Sequence, residues 1–72
     1  MNEAMINMVW DAEAGVWFAS SDDVPGLVLE SSSFDALVER VRMAVPELAE
    51  LNHFSVPNSL IFRSERRERL AG

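Results

Sequence analysis

The segment Trp10-Asp11-Ala12-Glu13-Ala14-Gly15-Val16-Trp17-Phe18-Ala19-Ser20-Ser21-Asp22-Asp23-Val24-Pro25-Gly26-Leu27 spells two strands and the opening of a third, separated by two turns. Residues 5–10 and 16–20 are short runs rich in side chains that suit a pleated surface. Between them, residues 11–15 supply turn formers, with Gly15 free to take positive φ, so the two runs read as a hairpin. A four-residue loop sets Trp10 opposite Trp17, and a slip of one residue separates them. Ser21, Asp22 and Asp23 break the second run. Pro25 and Gly26 fit the centre of a type II turn, because proline presets φ and glycine accepts φ > 0. Residues 27–31 restart as a third strand.

A helix follows. Ser33 is the preferred N-cap; Ser32 is the alternative, since it would place Asp35 at N3. Phe34, Leu37, Val38, Val41, Ala44, Val45, Leu48 and Leu51 recur at steps of three and four and form one apolar stripe. Asp35, Glu39, Arg42 and Glu50 lie opposite. Pro46 removes the hydrogen bond to the Arg42 carbonyl and is expected to kink this helix, on its polar side. Asn52 reads as the C-cap, His53 as solvent-facing, and residues 60–65 as a fourth strand.

The first three strands make an antiparallel meander, and the helix returns the chain to its starting edge. The expected fold is therefore α+β, in the order β-β-β-α-β: a mixed sheet of order 3-2-1-4 with the helix on one face. Strand alternation puts Ile6, Met8 and Trp10 on one side of the first strand and Met5 and Val9 on the other. Both faces carry large apolar groups, so one packs the helix and the other is expected to pack a second subunit. The whole chain, residues 1–72, reads as a single domain with a core spanning about residues 5–65 and an arginine-rich tail at 66–72.

Composition narrows the partners. The chain has 72 residues, no cysteine and a hydrophobic fraction of 49%, high for a domain whose core must be small. Surplus apolar surface points to a homodimer or higher homo-oligomer. Residues 1–62 hold ten acids against Arg40 and Arg42, a balance of −8, while residues 63–72 hold Arg63, Arg66, Arg67 and Arg69 against Glu65 and Glu68. An acidic body repels phosphate backbones, so no specific nucleic-acid binding is expected; a small basic protein is the complementary partner. The arginine cluster reads as a solubilising tail, a nucleic-acid contact or a clamp on a neighbour's carboxylates, and the clamp suits the acidic body better than a nucleic-acid contact. No apolar run is long enough for a membrane span and no basic leader opens the chain, so a cytoplasmic protein is expected.

The order Trp-Asp-x-Glu-Ala-Gly-Val-Trp at 10–17, then Ser-Asp-Asp-Val-Pro-Gly-Leu at 21–27, then Glu30 and a serine-capped helix resembles the HicB-like antitoxin superfamily. The resemblance is nearest to its short stand-alone bacterial members, a domain of unknown function. It agrees with the β-β-β-α-β order and implies a non-enzymatic interaction module, with antitoxin-like binding of a small basic mRNA-cleaving toxin. Superfamily members usually carry an appended DNA-binding domain. No stretch here reads as one, so that role is not expected to carry over.

Candidate residues fall into two groups. Trp10, Trp17, Phe18, Phe62 and Arg63 are candidates for a partner or dimer interface; Gly15, Pro25, Gly26 and Ser33 are turn and cap positions. Trp10 and Trp17 read first as a cross-strand pair stabilising the sheet, and second as interface anchors. No catalytic residue, cofactor site or metal site is expected. The fold implied by the resemblance is comparable to a truncated RNase H-like fold, so the alternative function is a degenerate nuclease or a small-ligand or metal-binding protein using Asp11, Asp22, Asp23 and Glu30. Turn chemistry explains the first three of these more simply. His53 has no cysteine or second histidine as a team-mate.

Overall fold

The computed structural model describes residues 2–71. Four strands form one mixed sheet of order β3-β2-β1-β4, and one helix packs on it. β1 (Glu3–Asp11) and β2 (Val16–Ser20) are antiparallel around a loop of residues 12–15, which places Trp10 opposite Trp17. Asp11 builds that loop: its Oδ1 accepts from the Glu13 and Ala14 amides at 3.0 and 3.2 Å, and its carbonyl from Gly15 N–H at 2.8 Å. Gly15 has φ 67°. β1 starts two residues before the expected Met5, because β4 (Ser59–Glu65) runs parallel to it and pairs Ser59 with Glu3.

β3 (Val28–Ser31) pairs antiparallel with β2. It begins at Val28 and not at the expected Leu27, since the Leu27 amide closes the Val24-Pro25-Gly26-Leu27 turn on the Val24 carbonyl at 3.2 Å. Gly26 has φ 85°, as a type II turn requires, and a Cβ there would lie 3.3 Å from Leu48 Cδ2. The positive φ therefore favours glycine, and a side chain here would also press on the Leu48 methyl.

The helix α1 (Phe34–Asn52) starts on Ser33, whose Oγ accepts from the Ala36 amide at 3.2 Å, and Asp35 sits in its positive first turn. It runs through Pro46 as one element, and both Pro46 and Arg42 are exposed, so water can take the freed carbonyl. The buried seam is Leu37, Val41, Val45 and Ala49. Leu51, expected in the stripe, is 72% exposed. At about 100° per residue it lies about 200° round the helix from Ala49, which continues the seam. The cap falls one residue beyond the expected Asn52: His53 takes the left-handed cap conformation (φ 58°), and the Phe54 amide reaches back to the Ala49 carbonyl at 3.1 Å. The Asn52 side-chain Nδ2 instead donates to the Pro25 carbonyl at 3.3 Å, tying the helix end to the β2–β3 turn.

The core lies between helix and sheet. Ala4, Ile6, Met8 and Ala19 of the sheet and Leu37, Val41 and Val45 of the helix are buried, joined by Val24 and Leu27 from the turn. No polar or charged side chain is buried among the described residues.

Past Ser20, β2 leaves the sheet and would strand the Met5 backbone. Ser21 and Asp23 replace the missing ladder. The Ser21 hydroxyl donates to the Met5 carbonyl, and Asp23 Oδ2 accepts from the Met5 amide at 2.8 Å. Ser21 Oγ also accepts from the Asp23 and Val24 amides at 3.0 and 3.2 Å. Ser21→Ala removes a donor and an acceptor from a half-buried junction and should cost about 1–2 kcal/mol in urea unfolding. A loss under about 0.5 kcal/mol would show that water substitutes for the hydroxyl.

Candidate interaction surface

Strand parity sorts the candidate residues. Trp10 pairs with Trp17 and Ile6 with Phe62, all in line with buried Met8, Ala19 and Ala4. Trp10, Trp17 and Phe62 therefore belong to the helix side of the sheet. Phe18 and Arg63 pair with Val9 and Asn7 on the opposite, open side. The five residues do not form one surface.

On the helix side the aromatics make a ladder at one end of the sheet. The Trp10 and Trp17 ring centroids are 5.4 Å apart, and Trp17 meets the edge of Phe34 at 4.9 Å and 80°. The Arg66 guanidinium lies 4.5 Å from the Trp10 ring centroid and bonds Glu68 at 2.7 Å. The β1–β4 register, continued by one residue from Val9–Glu65, sets Arg66 beside Trp10. The first residue of the expected tail is thus held by a cation–π contact. Sequence reading missed it; the parallel register is the signal that would have found it.

The open face is different. Met5 beside Ile61 and Val9 beside Phe18 form two apolar pairs separated by the row of Arg63, Asn7 and Ser20, with Val28 and Val16 at the margins. Val9, Ile61 and Val28 are 44%, 39% and 74% exposed. Glu3, Asp11, Glu30 and Glu65 surround this patch, and Arg63 is its single base, beside Asn7. Sequence alternation already separated Met5 and Val9 from the helix side. Val28 and Ile61 escaped notice because assigning them to this face needs the pairing partner, not the strand alone. A shallow cavity of about 320 Å³ opens at the end of this face and around the β1–β4 pair, lined by Asn7, Met8, Val9, Arg63, Ser64 and Glu65.

The turn and cap residues Gly15, Pro25, Gly26 and Ser33 sit in those roles. Of the carboxylates weighed for metal or nuclease chemistry, Asp11 and Asp23 each hold backbone amides in place. Among the described residues no three His, Asp or Glu side chains gather as a metal site would require. No helix among them is long and apolar enough to cross a membrane.

A two-layer α+β domain with an unpartnered apolar sheet face is the class this architecture defines. The chain belongs to the family described as Domain of unknown function (DUF1902), whose profile matches residues 3–71 and so includes the arginine-rich end. It is similar to a crystal structure of the hypothetical protein TTHA1013 from the extremely thermophilic bacterium Thermus thermophilus. The two are 37% identical with a TM-score of 0.75, over 97% of this chain and 99% of that one. No curated protein matches it.

Proposed function

We propose that this chain is a non-enzymatic, self-associating protein-interaction module of HicB-like type, acting in the cytoplasm, with antitoxin-like capture of a small basic protein as its second role. The open sheet face carries the reading. Two apolar pairs, Met5 with Ile61 and Val9 with Phe18, stand on it either side of the Arg63, Asn7 and Ser20 row, and apolar side chains left on a sheet face mark contact surfaces. Its acidic rim complements a basic polypeptide and would steer association by charge. The HicB-like assignment is supported by the Trp10–Trp17 hairpin, the Val24–Leu27 turn and the serine-capped helix in their expected order. Two of the carboxylates that the nuclease alternative would use are engaged with backbone amides, Asp11 in the β1–β2 loop and Asp23 on Met5.

Light scattering at micromolar concentration should give at least twice the monomer mass of 8.1 kDa. Mobility-shift and cleavage assays with Mg²⁺ at about 150 mM salt should give neither sequence-selective binding nor cleavage. Metal-dependent cleavage abolished by Asp11→Asn would replace this reading with a nuclease.

A further inference from the structure

The two edges of the sheet are unequal. β3 is four residues long, and Arg40 from the helix donates to its Glu30 carbonyl at 2.6 Å, so that edge is short and partly capped. β4 is seven residues long, with no proline inside it. No side chain among the described residues holds a β4 backbone group, and no strand lies beyond it. A long open edge is a template for another strand.

The β4 sequence states which strand fits. Arg63 and Glu65 share the open side of the sheet, one on each side of Ser64, and neither is ion-paired among the described residues. Reversed against itself about Ser64, this run sets arginine opposite glutamate at both symmetric positions. Reversal about Arg63 would oppose two arginines. Reversal about Phe62 would oppose Arg63 with Ile61. We infer that two copies of this chain join through β4, antiparallel about Ser64, each Arg63 facing the Glu65 of the other copy. The inference rests on the self-association proposed above and places its seam at the β4 edge, which leaves the open face to the basic partner.

Further pairs follow from the same register. Within β4 the pairing covers residues 63–65; continued past Glu65, where the strand ends, the same line brings Arg67 opposite Ile61 of the other copy and Arg69 opposite Ser59, the cross-strand neighbour of Glu3. The basic end of each chain is thereby laid along the acidic body of its mate, which offsets the repulsion between two molecules of net charge −6. Arg66 keeps its place on Trp10 in its own subunit. Both helices fall on one side of the joined sheet, and the two open faces become one surface on the other.

Charge exchange tests the pairing by sedimentation equilibrium, with circular dichroism confirming the fold of each variant. Arg63→Glu and Glu65→Arg each oppose like charges at two positions and should raise the dimer dissociation constant about tenfold or more. The double variant restores opposite charges and should return within about threefold of the parent. Val28→Lys, on the exposed open face at the edge opposite β4, should leave the assembly unchanged. If Val28→Lys dissociates the protein while the charge variants do not, self-association stands and edge pairing is overturned. Loss in the double variant as large as in the single ones also overturns it. A parent protein that is monomeric at micromolar concentration removes both the edge pairing and the self-association on which it rests.

Discussion

Leu37→Ala should cost about 2–5 kcal/mol of unfolding free energy, because it deletes buried methyl groups and leaves a cavity that the fold closes only in part. Leu37 is fully buried one turn after the helix start, in the cluster that holds Ile6, Met8 and Val41. A chain of 72 residues is expected to have a total stability of roughly 4–11 kcal/mol, so the loss is a large share of it. At about 4–8 °C per kcal/mol for a domain of this size, the change is plain in a thermal melt. Glu39, two residues on, is exposed and paired only with Arg42 across one helical turn at 2.9 Å. Glu39→Ala should therefore change stability by less than about 0.5 kcal/mol. Both variants belong at one protein concentration, because assembly shifts apparent stability. Equal losses at Leu37 and Glu39 would contradict the buried seam.

The architecture was legible because its signals are local. The Trp10–Trp17 pair follows from a four-residue loop, the Pro25-Gly26 turn from two residues with fixed conformational preferences, and the helix start from Ser33. Once three strands form a meander, the returning helix leaves the fourth strand a place beside the first, and β4 takes it. Errors arose where a long-range partner decides. Leu51 fits a spacing of three from Leu48, yet the seam drifts with the helix and Ala49 takes the inward place. His53 rather than Asn52 takes the left-handed conformation, since Asn52 is drawn to the Pro25 carbonyl.

The candidate surface was legible only by parity. Alternation separated Met5 and Val9 from Ile6 and Met8, and so announced a second apolar face. Grouping Trp10, Trp17 and Phe62 with Phe18 and Arg63 followed residue type and ignored parity, and the register divides them. Ser21 and Asp23 read as chain breakers, which they are. Their bonds to Met5 depend on where β2 stops beside β1, a relation between segments that local pattern does not contain.

Trp17→Ala should be the second severe substitution, at about 2–4 kcal/mol, below the range for a fully buried tryptophan because Trp17 is half-buried. Its ring connects the hairpin to the helix start: Trp10 on one side at 5.4 Å, Phe34 edge-on at 4.9 Å on the other. Such contacts contribute beyond the area they bury. Trp10 has a weaker position, between Trp17 and the exposed Arg66 side chain, so Trp10→Ala should cost less than Trp17→Ala. Trp17→Phe keeps an aromatic edge against Phe34 and should recover part of the loss. Urea unfolding followed by circular dichroism measures all three, and a Trp17→Ala variant within about 0.5 kcal/mol of the parent would show that the ladder is idle. The same variants separate a structural clip from a contact surface. Because Trp17 lies on the helix side, on a strand not adjacent to β4, folded Trp17→Ala protein should keep the parent's mass in solution. Dissociation of that folded variant would move the interface onto the aromatic ladder and away from β4.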